Sequence, residues 1–243
     1  CCLSSLEEYN VDYYLIDGSI YGDLQNPFPK GVETSAKAKK KLISATLNDF
    51  EEMVKNPSDK SVYSPKLFNK YFKIYQEYKY PYTLYLTTIE RLVVLKEILK
   101  NSRKMIAISK SSSNNDIFHS NMPDIAIFDK YTQKEGISKV IRKKVSKDIN
   151  TTFPVFDEFF KDLKFTIFYL RLADYKNVLK VELPYEASMA EIEEIASKLK
   201  KFSTNGYPYL LKKAHNDVVI SDKNIKELIN IAKVREKSGR EML

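Results

Sequence analysis

Metal sites rich in histidine or cysteine are excluded first, because the 243-residue chain contains two histidines and two cysteines. The cysteines are neighbours, Cys1 and Cys2. No disulfide framework can be built from them, which points to an intracellular, cytoplasmic protein. No apolar run approaches the roughly 18 residues of a membrane span, and no secretory signal pattern is present, so no membrane partner is expected. There is no phosphate loop, dinucleotide-binding glycine motif, zinc-ligand spacing or Gly-x-Ser-x-Gly elbow. There is no internal repeat. Tryptophan is absent, and the 12% aromatic content rests on 17 Tyr and 13 Phe.

What is present is ordinary in bulk and uneven in detail. Hydrophobic residues make up 43% and charged residues 30% of the chain, enough for one large domain, or a domain with a lobe, around a sizeable core. Lys and Arg number 40 against 32 Asp and Glu, a net charge of +8. That surplus suits a polyanion, whose counterions are released by phosphate contacts. A lysine-rich surface also serves solubility alone.

The sharpest single stretch is Tyr13-Tyr14-Leu15-Ile16-Asp17-Gly18-Ser19. A short, bulky run closed by glycine reads as a buried strand, and the carboxyl ends of such strands are where α/β proteins hold ligands. Asp17 falls at that exit, where a fixed carboxylate suits a hard cation; taken by itself, the stretch reads sooner as a simple turn. The run Met105-Ile106-Ala107-Ile108 repeats this grammar and delivers Lys110 to meet either a phosphate or solvent. Further strands are predicted at 123–128 and 137–141, joined around Gly136, and at 165–170 and 178–183 as an antiparallel pair.

Helices are predicted at 35–55, where Lys37, Lys39, Lys40 and Lys41 form a basic face, and at 84–100. Another begins at Ser188 with Glu191 completing a capping box. Residues 1–11 read as the end of a helix and 222–233 as a last one. Gly206-Tyr207-Pro208-Tyr209 reads as a turn into a short helix bearing Lys212, Lys213 and His215. His119 sits in a polar loop and is incidental. His215 follows Tyr207 by about two helical turns. A lone histidine is more often structural, but this one and a tyrosine hydroxyl beside a basic helix could also position water or a scissile phosphate.

Residues 63–85 crowd aromatics among lysines, the composition of single-strand channels. Phe68, Tyr71, Phe72 and Tyr75 fall at i, i+3, i+4 and i+7, a packing face, while Tyr80 and Tyr82 are left as candidates for DNA contact. So much aromatic surface predicts a homodimer with a two-fold interface through this segment. The alternative is a face buried within a monomer.

Several blocks, in order along nearly the whole chain, resemble the NurA nucleases, DNA-end-processing partners of HerA-type hexameric ATPases. They are Asp12 to Ser19, Ile108-Ser109-Lys110-Ser111, Pro123-Asp124-Ile125, Phe168-Tyr169-Leu170-Arg171-Leu172 and Gly206 to His215. The last is the most specific. The resemblance implies a ribonuclease-H-like α/β fold, a mixed sheet flanked by helices, as one domain over 1–243, with 33–100 as a helical aromatic and basic segment within it. It implies a DNA nuclease, a 5'-3' exonuclease and single-strand endonuclease working in double-strand-break repair, that uses manganese, with magnesium as the alternative. Carried over residue by residue, Asp17 and His215 are metal ligands and Asp17, His215, Tyr207 and Lys110 are catalytic, with Lys110 and Asp124 the weaker carry-overs; Lys110, Lys212, Lys213, Tyr80 and Tyr82 are the candidates for DNA binding. The family's first Asp-Gly strand is expected upstream of Cys1 and its catalytic Glu at or just before Cys1, so the sequence reads as amino-terminally truncated. The competing function is a non-catalytic DNA-binding or translocase-docking subunit.

Overall fold

The computed structural model describes residues 10–25, 44, 46–52, 55, 64–71, 79–145, 157–218 and 225. In chain order, β1 (Tyr14–Asp17) leads into α1 (Ile20–Gln25), then α2 (Ser64–Tyr71) and α3 (Lys79–Leu99). Next come β2 (Met105–Ser109), α4 (Asp124–Tyr131), β3 (Gly136–Ile137), β4 (Ile141–Lys144) and α5 (Asp157–Asp162). The chain continues through β5 (Lys164–Arg171), β6 (Leu179–Leu183), α6 (Met189–Lys201), β7 (Ser203–Thr204), β8 (Tyr207–Pro208) and α7 (Tyr209–Val218).

The result is a mixed α/β fold. The sheet runs β1-β2-β6-β5-β3, with β4 also on β5. β1 and β2 are parallel, Asp17 opposite Ile108. β2, β6 and β5 then alternate in direction, with Ala107 opposite Glu182 and Ile167 opposite Glu182. β2 and β6 are buried along their whole length, with hydrophobic clusters covering both faces of the sheet. The pleat sorts their side chains. Ala107, Phe165 and Ile167 join Leu24, Phe50, Leu67, Tyr85, Leu86, Ile89 and Leu92 in one cluster. On the other face Ile106, Ile108, Phe168, Leu170, Leu179, Val181 and Leu183 pack on Ile192, Ile195 and Leu199 of α6. Each fully buried Leu, Ile, Val or Phe among them contributes about 1.5–3 kcal/mol by leaving water. α6 starts as expected: Ser188 accepts from the Glu191 amide while the Glu191 carboxylate accepts from Ser188.

The described part of 33–100 therefore shares the core of the sheet. Phe68 is half-buried against that core and Tyr85 is 2% exposed within it. Phe72, Tyr75 and Tyr78, the lysines at 37–41, and the helices expected at 1–11 and 222–233 lie wholly or almost wholly outside the described residues, as do the side chains of Tyr71, Tyr80 and Tyr82. Among the described residues no helix is long and apolar enough to cross a membrane.

Two expectations are corrected. Residues 123–128 are not a strand: Pro123 is the N-cap of α4, and Ile125 and Phe128, one turn apart, pack with Tyr169 and Val178. A short apolar run fits either period, and a proline at the entry suits a helix. The strand expected at 137–141 is split into β3 and β4. Ser138 interrupts it, its amide donating to the Tyr169 carbonyl and its Oγ accepting from the Tyr169 amide.

Candidate active site

Because β1 and β2 are parallel neighbours, their carboxyl ends open side by side. Asp17 is exposed at the first exit. The Gly18 amide donates to the Ile108 carbonyl at 2.9 Å, which carries the ladder one residue past Asp17. Gly18 has φ +129°, and a Cβ there would meet nothing within 4 Å. The backbone conformation, not lack of space, calls for glycine. At the second exit Lys110 places its Nζ 4.2 Å from the centre of the Tyr207 ring, within cation–π range.

Tyr207 arrives by a different route. Thr204 pairs with Tyr207, leaving a two-residue loop in which Asn205 has φ +56° and Gly206 φ +75°. Asn-Gly with both residues left-handed is the tight hairpin turn whose twist matches its strands. A Cβ on Gly206 would also lie 2.5 Å from the Lys176 Cβ. Gly206→Ala is therefore expected to destabilise the chain by about 2–4 kcal/mol, from strain and overlap together. It should appear as a lowered urea midpoint, and a midpoint unchanged from wild type would refute this account of the turn.

The Tyr207 phenol is half-buried and its Oη has no hydrogen-bond partner among the described residues. Burial pushes its pKa up to about 12, and the neighbouring Asp17 charge adds to the rise. The phenol is therefore neutral, and its buried hydroxyl keeps a proton that no described residue accepts.

α7 follows directly and packs against β1. Leu211 is its buried anchor in the cluster beneath. His215, four residues on, shares that flank of the helix but is exposed, as are Lys212 and Lys213. Lys213 pairs with Asp217 at 3.2 Å. The structure thus brings Asp17, Lys110 and Tyr207 together; His215 lies further along α7 and makes no hydrogen bond to any of them. Tyr80 and Tyr82 lie in the first turn of α3. Asp124 is fully buried and is committed elsewhere: it accepts from the amides of Ile117 and Phe118 at 2.9 and 3.0 Å. It organises the loop after β2 and pushes up the pKa of Tyr169, where burial is the larger cause.

Sequence reasoning missed two residues. Lys180 and Glu182 are 2% and 0% exposed on β6 and form an ion pair of 2.7 Å. They are two apart in an otherwise apolar strand, and that alternation was the one available signal.

Among the described residues no group of three or more His, Cys, Asp or Glu side chains could hold a metal ion. Asp17 offers one carboxylate, and the described residues do not complete a metal centre.

Fold and site together define an α/β protein whose polar groups converge at the carboxyl ends of adjacent parallel strands, where this architecture places ligands. The chain belongs to the NurA domain family, whose model matches residues 3–220. It is 28% identical over 98% of its length to a protein of Methanocaldococcus jannaschii named a probable DNA double-strand break repair nuclease NurA. It is 35% identical over 61% of its length to the DNA double-strand break repair nuclease NurA of Sulfurisphaera tokodaii. The chain spans 62% and 44% of those two proteins. The crystal structure of the NurA nuclease from Sulfolobus solfataricus shares its fold at TM-score 0.66 and 24% identity, over 96% of this chain and 62% of that one. A crystal structure of NurA bound to dAMP and manganese shares it at TM-score 0.61 and 15% identity, over 98% of this chain and 74% of that one.

Proposed function

We propose that this chain belongs to a metal-dependent DNA nuclease that processes DNA ends in double-strand-break repair. The observation that carries the proposal is the convergence of Asp17, Lys110 and Tyr207 at the exits of β1 and β2. A divalent cation, manganese before magnesium, supplies charge stabilisation at the scissile phosphate when bound. Asp17 and His215 would be among its ligands. Lys110 neutralises phosphate charge, and Tyr207 donates from its neutral phenol to a phosphate oxygen. His215 positions water or the scissile phosphate. Lys212 and Lys213 on exposed α7, and Tyr80 and Tyr82 on α3, follow the DNA strand. In this reading the nuclease cuts 5' to 3' from ends and internally in single strands, acts as a homodimer in the cytoplasm, and works with a HerA-type ATPase.

The test uses single-stranded DNA labelled at one end or the other, with manganese, magnesium or EDTA. Cleavage is expected with manganese and none with EDTA. Binding measured alongside should weaken about a hundredfold or more between about 50 and about 200 mM salt. Salt-sensitive binding without cleavage would overturn the enzyme and leave a DNA-binding or docking subunit. Binding indifferent to salt would overturn both.

A further inference from the structure

Glu182 lies on the opposite face of the sheet from Asp17. It is opposite Ala107, while Asp17 is opposite Ile108 one step along the same strand. It therefore touches nothing at the site directly, yet its carboxylate is wired to the turn that carries Asp17. Oε1 accepts from Ser19 Oγ at 2.5 Å and Oε2 from the Tyr21 amide at 2.9 Å. Ser19 Oγ in turn accepts from the Gly22 amide at 2.9 Å.

Lys180 holds Glu182 from behind at 2.7 Å and donates to Asn114 Oδ1 at 3.2 Å. Asn114 Oδ1 also accepts from Ser112 Oγ at 2.9 Å, and its Nδ2 donates to Asp116 Oδ2 at 3.1 Å. Asp116 is paired to Lys143 of β4. One connected polar network thus reaches both segments that leave the sheet at the site: the turn after β1 and the loop after β2 that begins at Lys110.

An apolar pair at 180 and 182 would satisfy a strand buried on both faces at least as well, since buried ion pairs rarely gain stability over well-packed hydrophobes. What the pair adds is fixed geometry. Gly18, in the left-handed region, is a natural swivel for the chain that leaves β1. Upstream, Asp17 is held by the β1–β2 ladder; downstream, the first anchor past the swivel is the Ser19–Tyr21 contact with Glu182.

We propose that Glu182, held by Lys180, is a positioning residue that fixes the Asp17-Gly18-Ser19 turn, and through Asn114 the Lys110 loop, in the geometry the site requires. The proposal rests on the nuclease reading for its consequence in catalysis, but not for its structural content.

The test compares Ser19→Ala and Glu182→Gln with wild type by hydrogen–deuterium exchange and, where wild type cleaves DNA, by steady-state kinetics. Amides at 18–22 are expected to exchange about tenfold faster in both variants while those of β5 keep their protection. For cleavage, kcat should fall about 10- to 100-fold, with KM for DNA unchanged. Unchanged exchange at 18–22 in both variants would overturn the proposal. So would faster exchange across the whole sheet in both, the signature of a purely structural pair, or faster local exchange with kcat intact. If wild type does not cleave DNA the nuclease reading fails, and the exchange result alone still decides the positioning claim.

Discussion

Asp17→Asn is expected to remove DNA cleavage, by on the order of a thousandfold, while the thermal transition stays within about 2 °C of wild type. The two halves have one cause. Asp17 is exposed at the end of β1, so its carboxylate is not needed to fill or hold the core, and Asn keeps the size of the side chain. What is lost is a negative charge fixed on a rigid element, and about 4 kcal/mol of transition-state stabilisation corresponds to that loss of rate. A second readout needs no activity. The Asp17 charge helps hold the Tyr207 phenol at about 12, after burial as the larger cause. Removing a neighbouring negative charge makes tyrosinate easier to form. The Tyr207 pKa should therefore fall in Asp17→Asn but remain above the ordinary value near 10. Ultraviolet titration, with Tyr207→Phe subtracted to isolate this residue, reads the shift. Full cleavage in Asp17→Asn with manganese would end the metal-ligand role, and an unmoved Tyr207 would show that the two groups do not sense each other.

Much of the frame is local information and is legible in the sequence. Met105–Ser109 and 165–170 announce themselves as apolar runs, Ser188 and Glu191 as a capping box, and Asp17 as an acid at a strand's end. Residues 123–128 mislead because six apolar and acidic residues fit either period, and the contact of Ile125 with Tyr169 and Val178 that selects the helix is long-range. The meeting of Lys110 with Tyr207 is likewise invisible, since 97 residues separate them (207 − 110 = 97) and only the hairpin turn at Asn205-Gly206 aims the ring. Lys180 and Glu182 are hidden for another reason. Alternating charges in a strand ordinarily mean one wet face. Here helices cover both faces, and the charges are neutralised by each other and by Ser19, Tyr21 and Asn114.

That buried pair leads to the largest effect on stability. Glu182→Leu leaves the Lys180 ammonium 2% exposed with Asn114 as its remaining polar contact. An unpaired buried charge of this kind is expected to cost about 3–5 kcal/mol, a large share of the roughly 5–15 kcal/mol that holds a domain folded. Lys180→Met should cost less, because the Glu182 carboxylate keeps two donors, Ser19 Oγ and the Tyr21 amide. The double variant, Lys180→Met with Glu182→Leu, removes both charges and leaves an apolar strand between two apolar layers. It should recover most of the loss, so the two changes couple instead of adding. Urea unfolding of the four proteins measures this, with equal slopes required before midpoints are compared. Additive losses would mean that the ion pair carries no shared energy and that each side chain is held by its other contacts. The double variant also separates stability from positioning. It is expected to fold like wild type and yet exchange its amides at 18–22 faster, since no carboxylate remains to hold Ser19 and Tyr21 beside Asp17.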